Sequence, residues 1–418
     1  MLAAIPMVSI LGLRILIVLP IIIAIACNGG SGGDEPSSAG VTPAPSPPPA
    51  SKGPALETTL GLQTELFVFD ARFPVALAFA PDGRLFYNEL QTGKVRIVTP
   101  EGEVLEEPFV KIEDMALVPE SEWGLIGLAL DPEFESNRFV YVYYTQFVRD
   151  YPANEGHEFL PAEVAKPVVV RFTDVENHGV DPTLILGDLP ETVPTSRPVH
   201  IGGNIHFGPD GYLYVTIGDM RQGDPAHDLG SLRGKILRVD KQDGSAPADN
   251  PFVDRPDADP RVFAYGFRNS FDFAFQPETG EIFATENAER TCDELNIVAA
   301  GQDYGWPNDD ESVACLDRAG VPPIYLYADP GKAPGANSST VGPTGIEFAS
   351  GDVYPALGDS LLTCEWNTQF MRRFVLGSEQ QVLSDDVVVT GCQLGITVSP
   401  DGVVYYSNIT QIWRLVPQ

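Results

Sequence analysis

The sequence predicts an all-β chain folded as a six-bladed β-propeller with four-stranded antiparallel blades. Three observations predict it. One unit recurs six times: an apolar run, a turn containing Gly or Pro, then a run rich in β-branched and aromatic residues. The copies start roughly 50 to 75 residues apart, enough chain for four short strands each. Almost no stretch keeps helical periodicity over a useful length. A single blade cannot cover both faces of its own sheet, so such units must stack on their neighbours around an axis. A two-domain β protein is the structural alternative.

The copies follow one another along the chain. The first is VALAFAPDGRLFYNE at 75 to 89, and the second is GLIGLALDPEFESNRFVYVYYT at 124 to 145. HIGGNIHFGPDGYLYVTIGD, 200 to 219, is the third, and FDFAFQPETGEIFATEN, 271 to 287, the fourth. GIEFASGDVYPALGDSLLTCEW at 345 to 366 and LGITVSPDGVVYYSNITQIWRL at 394 to 415 complete the set. Shorter strand candidates such as KVRIVT, VVVRFT, GKILRVD and RRFVL lie between them. One chain end, QIWRLVP or the run TELFVFD near residue 64, is expected to complete a shared blade and close the ring. Innermost strands would then surround an axial funnel, with loops from several blades forming a pocket at one end.

Upstream of the repeats the composition changes. Residues 1–27 read as a targeting segment: Arg14 precedes the apolar run ILIVLPIIIAIA, too short to span a bilayer comfortably and interrupted by Pro20. The run ends in Ala24-Ile25-Ala26-Cys27 and resembles a bacterial lipoprotein signal, with Cys27 as the lipidated mature N-terminus; a simple secretory signal or an uncleaved anchor is the alternative. Residues 28–58 are a Gly/Ser- and then Pro-rich tether that cannot bury a core. The propeller domain is expected over 59–418, in an extracytoplasmic protein anchored through Cys27 or secreted.

The remaining cysteines, Cys292, Cys315, Cys364 and Cys392, are even in number, as an oxidising compartment favours. Pairing 292 with 315 and 364 with 392 closes the shortest loops; a thiolate metal site is disfavoured because no CxxC spacing occurs. With a formal net charge of −32, the chain lacks the basic surface that nucleic acid or anionic lipid requires. Membrane contact is therefore expected only through the N-terminal lipid.

The third copy carries chemistry at its rims. IHF, the turn GPDG and YLYVTI form a hairpin, which returns His200, just before it, and Asp219, just after it, to the same end. A carboxylate on one imidazole nitrogen fixes the tautomer and leaves the other free to accept a proton. The bland reading makes His200 a satisfied loop histidine and Asp219 a turn residue. The pair Gly202-Gly203 is read as letting backbone come close to a ligand.

HIGGNIHFGPDGYLYVTIGD, followed by GKILRVD, PADNPF, VFAYGFRNSFDFAF, ATEN, DELNIV and YGWPN, resembles the soluble quinoprotein glucose/sorbosone dehydrogenases, including the aldose sugar dehydrogenases. The resemblance covers nearly all of residues 60 to 418. It implies a six-bladed propeller that oxidises a sugar with pyrroloquinoline quinone (PQQ) and Ca²⁺, passing electrons to an external acceptor. It implies His200 as general base, Asp219 as its orienting carboxylate, and Arg268 with Asn269 and Asn287 as cofactor-binding residues, Arg268 polarising the reactive carbonyl. The cofactor-bridging Ca²⁺ would be held by the carbonyls of Ala288 and Glu289, where the family has Gly-Pro, and Asp293-Glu294 with Tyr304 match a metal site of the family whose ligands are the Glu294 carboxylate and the Tyr304 carbonyl.

Three departures bear on this. Cys392 and Leu394 stand where the family has Arg-x-Arg for the PQQ carboxylates, and Glu365 and Trp366 stand near its Lys; Glu122 replaces a Gln of the sugar site. These changes favour a second function class, a propeller that binds carbohydrate or protein without quinone chemistry. A Ca²⁺-dependent hydrolase or lactonase is a third.

Overall fold

The computed structural model describes residues 60–118, 121–150, 163–192, 199–289, 292–307, 315, 319–327 and 340–417. All of these fall within one compact unit, Lys52–Gln418. The expected signal, its Cys27 and the tether lie outside the described residues.

Six sheets of four antiparallel strands each make up the fold, a six-bladed β-propeller. Blade 1 comprises Leu77–Phe79, Leu85–Glu89, Lys94–Val98 and Val110–Lys111. Blade 2 comprises Leu125–Leu130, Phe139–Asp150, Glu163–Val175 and His178–Leu186. Blade 3 comprises Ile205–Phe207, Leu213–Ile217, Lys235–Val239 and Val262–Tyr265. Blade 4 comprises Ser270–Phe275, Ile282–Glu286, Glu294–Val298 and Tyr325–Leu326. Blade 5 comprises Pro343–Ala349, Ser360–Glu365, Phe370–Leu376 and Val382–Thr390. Blade 6 comprises Ile396–Val398, Val404–Ser407 and Ile412–Val416, and its fourth strand is Gln63–Val68 from the other end of the chain. Both expected closing segments are therefore used: Gln63 pairs with Val416 and Leu66 with Trp413.

Each recurrence in the sequence is the first hairpin of a blade. In three blades the turn repeats the same hydrogen bonds: Gly83 to Ala80, Gly211 to Gly208 and Gly402 to Ser399, at 2.9, 2.9 and 2.8 Å. The glycines have φ of 86, 80 and 83°, left-handed values that disfavour a Cβ. The second strands Leu85–Glu89, Leu213–Ile217 and Ile282–Glu286 are buried at every position. They therefore read as continuous β-branched and aromatic runs rather than alternating ones.

The core is segmented in the same way, with an apolar cluster at each junction between neighbouring blades. Phe86, Ile97, Leu128 and Val142 join blades 1 and 2, for example, and Met371, Val388, Val404 and Tyr406 join blades 5 and 6. Buried polar side chains clip neighbours together near the axis. Asn88 Nδ2 donates to Leu125 O at 2.9 Å, Thr285 Oγ1 to Thr344 O at 2.9 Å, and Ser407 Oγ to Pro74 O at 2.7 Å. Two disulfides join Cys292 to Cys315 and Cys364 to Cys392.

Candidate active site at the funnel mouth

The blade 3 hairpin pairs Ile205 with Val215 and Phe207 with Leu213, bringing its two flanks together. His200 Nδ1 lies 2.7 Å from Asp219 Oδ1. A carboxylate only accepts, so Nδ1 carries a hydrogen, which in the neutral ring leaves the lone pair on Nε2. Nε2 has no hydrogen-bond partner among the described residues. Asp219 is fixed further by Arg221 N on Oδ1 at 2.7 Å and Trp306 Nε1 on Oδ2 at 2.9 Å. The dyad is nearly enclosed, with side-chain exposures of 9% for His200 and 2% for Asp219.

The backbone here is held in a costly shape. His200, Met220 and Arg221 have φ of 63, 52 and 61°, where non-glycine residues store of order 1 kcal/mol or more each. Met220 N donates to His200 O at 3.0 Å, and Glu122 Oε2 accepts His200 N at 2.7 Å and Ile201 N at 3.2 Å. Glu122, expected to line a sugar site, thus also buttresses the histidine from blade 2. Gly202 and Gly203 correct another expectation. A Cβ on either would fall 2.3 Å from Thr216 O or 1.4 Å from Phe271 O, so this pair admits the chain's own backbone rather than a ligand.

Arg268 and Asn269 come from the loop before the first strand of blade 4. Both backbone N–H groups donate to Glu286 Oε1, at 2.7 and 2.9 Å. The Asn269 side chain spans three blades: Oδ1 accepts Gly202 N at 3.1 Å and Nδ2 reaches Glu122 at 3.4 Å. Arg268 Nη1 donates to Asn287 O at 2.9 Å, and its guanidinium lies 5.5 Å from the Trp306 ring centroid. Trp306 therefore touches Asp219 with its Nε1 and the guanidinium with its face, linking Arg268 to the dyad. Asn287 Nδ2 donates to Pro343 O at 2.9 Å and Asn269 O at 3.3 Å.

The candidate metal ligands surround the same loop. Glu286 and Glu294 are cross-strand partners, both buried. Burial lifts the Glu286 carboxyl to about 8; the N–H groups of Asn269 and Arg268 oppose the shift, and the charge of Glu294 adds to it. Glu286 Oε2 has no hydrogen-bond partner among the described residues. That orphaned oxygen, on the cross-strand partner of Glu294, is a hard donor of the kind a calcium ion takes, while Glu294 Oε2 accepts Asn296 Nδ2 at 3.1 Å. Asp293 is spent on backbone, accepting Ala288 N and Gly342 N at 2.9 Å each; burial pushes it up to about 6. The Tyr304 ring stacks on Phe267 at 4.6 Å and its hydroxyl donates to Ile297 O at 2.7 Å. Among the described residues no three His, Cys, Asp or Glu side chains form a metal-ready group, so calcium would have to draw on the backbone carbonyls.

On the blade 5 and 6 side, the positions of the family's cations hold none. Cys392 is bonded to Cys364, and Leu394 is 4% exposed in the core. Glu365 receives Arg372 Nε at 2.6 Å, and Arg372 Nη1 also reaches Asp385 at 2.6 Å. Arg373 is turned to Asp386 and Leu357 O. Trp366 is 38% exposed, its ring centroid 6.2 Å from that of Phe73. A separate cavity of about 400 Å³ opens where the inner strands end, lined by Phe79, Leu130, Phe207, Phe275 and Glu347; it does not include the dyad.

A family model described as glucose/sorbosone dehydrogenase matches residues 71–411. An uncharacterized Synechocystis protein is 29% identical over 363 residues, 82% of this chain and 83% of its own. The aldose sugar dehydrogenase YliI of Escherichia coli is 30% identical over 234 residues, 56% of this chain and 58% of its own. Quinoprotein glucose dehydrogenase B of Acinetobacter calcoaceticus is 28% identical over 297 residues, 66% of this chain and 58% of its own. Among solved structures, a putative oxidoreductase (glucose dehydrogenase) of Thermus thermophilus superposes with a TM-score of 0.68 at 31% identity, covering 85% of this chain and 100% of that one.

Proposed function

Since the chain belongs to the glucose/sorbosone dehydrogenase family, we propose that it is a PQQ-dependent sugar dehydrogenase that oxidises an aldose and passes the electrons to an external acceptor. One observation carries the reading: an imidazole with Asp219 on Nδ1 at 2.7 Å, an Nε2 without a partner among the described residues, and Arg268 over the Trp306 ring that hydrogen-bonds the same Asp219. When bound, the quinone supplies the electron sink. The protein's share is position and proton transfer.

His200 Nε2 takes the proton of the sugar hydroxyl as its C–H bond is oxidised, and Asp219 stabilises the imidazolium that forms. Glu122 holds the backbone of this histidine, and Asp219 fixes its ring. Arg268, with Asn269 and Asn287 beside it, would hold the quinone at its reactive end, where a guanidinium stabilises developing oxyanion charge. Residues at that end fit the cofactor. The opposite wall adds no cation among the described residues at the family's Lys and Arg-x-Arg positions, so affinity for the tricarboxylate should be lower than a fully charged wall would give. Glu294, the orphaned Glu286 oxygen and the carbonyls of Ala288, Glu289 and Tyr304 suit Ca²⁺. Two disulfides support an extracytoplasmic location, and the lipid anchor at Cys27 remains part of this proposal.

The test is dye reduction by the full chain with a panel of aldoses, with and without PQQ and Ca²⁺. Turnover that requires quinone, calcium and sugar together is expected. The neutral wall favours a second reading, a carbohydrate- or protein-binding propeller; sugar binding without dye reduction at saturating quinone would decide for it.

A further inference from the structure

Arg268 already has a carboxylate. Glu289 Oε2 lies 2.6 Å from its Nη2 and 3.2 Å from its Nε. The guanidinium is enclosed, 10% exposed, while the Glu289 side chain is 43% exposed, so the carboxylate covers Arg268 from the solvent side. The loop beneath it is pinned. Asn287 is tied to Pro343 O and Ala288 N to Asp293, leaving the Glu289 side chain as the part that can move.

We infer that Glu289 is an internal competitor for Arg268, occupying the place beside the guanidinium that the reactive carbonyl oxygen of an anionic quinone would take. This rests on the quinone reading above and deepens it, because Glu289 then sets how tightly an anionic cofactor is held. A tethered carboxylate acts at high effective concentration. Its pair with Arg268 is half exposed and screened, so displacing it costs only modestly. Neutral sugars do not compete for the guanidinium and are indifferent to it. The mouth is thus biased toward uncharged ligands and against anions, in the same sense as the missing cations of the opposite wall.

The test is equilibrium dialysis of PQQ, with Ca²⁺ present, against the full-length wild type, Glu289→Gln, Arg268→Gln and the double variant. Glu289→Gln should tighten Kd by about three- to fivefold. In the Arg268→Gln background the same change should alter Kd less than about twofold, because the competition acts through the guanidinium. Binding by Glu289→Gln alone supports the inference and places the wild type with the binding propellers. Equal affinity of wild type and Glu289→Gln overturns the inference and leaves the quinone reading standing, as does a gain that persists without Arg268. If none of the four proteins binds PQQ, both fall.

Discussion

At the scale of single residues, the site is a set of acceptors and donors that use one another up. Glu286 shows the cost. One oxygen takes two backbone N–H groups and the other takes nothing among the described residues, in an interior that lifts the carboxyl to about 8. A carboxyl so raised contributes its stability fully below its unfolded value of 4.5 and loses it as pH climbs through the folded value. Asp293, at about 6, and Glu347, at about 7, act in the same direction. With a chelator present, the urea midpoint should therefore fall between pH 5 and pH 8, and fall less in Glu286→Gln. A wild-type midpoint that rises over that window contradicts this assignment.

The His200 and Asp219 pairing is legible in the sequence because one hairpin makes it, and the turn grammar of GPDG is local. Glu122, Trp306 and Glu286 are not. They reach the dyad and Arg268 from blades 2 and 4, across sequence separations of up to 87 residues, and no spacing rule encodes such meetings. The Gly202-Gly203 pair misleads for a related reason. Close approach is what glycine allows, but sequence does not say whether a ligand or another strand approaches.

Among the elements, the first two strands of each blade are the readable ones, since a buried strand, a Gly-containing turn and a second buried strand leave a dense apolar signal. Outer strands are harder. Val110–Lys111 and Tyr325–Leu326 are two residues long, and His178–Leu186 is largely solvent-facing, so little apolar pattern marks them. The disulfides staple what the strands do not. Cys364–Cys392 ties the second strand of blade 5 to the segment before the first strand of blade 6, and closes a separation of 28 residues. Removing it with Cys364→Ala and Cys392→Ala should cost about 3 kcal/mol in chemical denaturation; a loss below about 1 kcal/mol would mean that the buried wall holds without the bridge.

For the whole molecule, stability depends on the ring being closed by its two ends. Gln63–Val68 covers the edge of Ile412–Val416, and Val68 is 4% exposed between blades 6 and 1. Deleting residues 60–68 would leave that edge unpaired and the cluster open to water. The truncated protein should lose cooperative thermal unfolding and associate on a sizing column, whereas an unchanged Tm in a monomer would show that closure is dispensable. Closure also holds together the blades whose loops supply Glu122, the His200 and Asp219 pair, and Trp306. Against a net charge of −32, Arg268 is a buried cation joined to the dyad through Trp306.

The most direct measurement is the turnover of His200→Ala, reconstituted with PQQ and Ca²⁺ on the aldose the wild type uses best, with and without added imidazole. Loss of the general base should lower kcat by about 10²- to 10⁴-fold, with part of the rate restored by exogenous imidazole. A kcat within twofold of wild type would contradict the assignment of His200 as the proton acceptor.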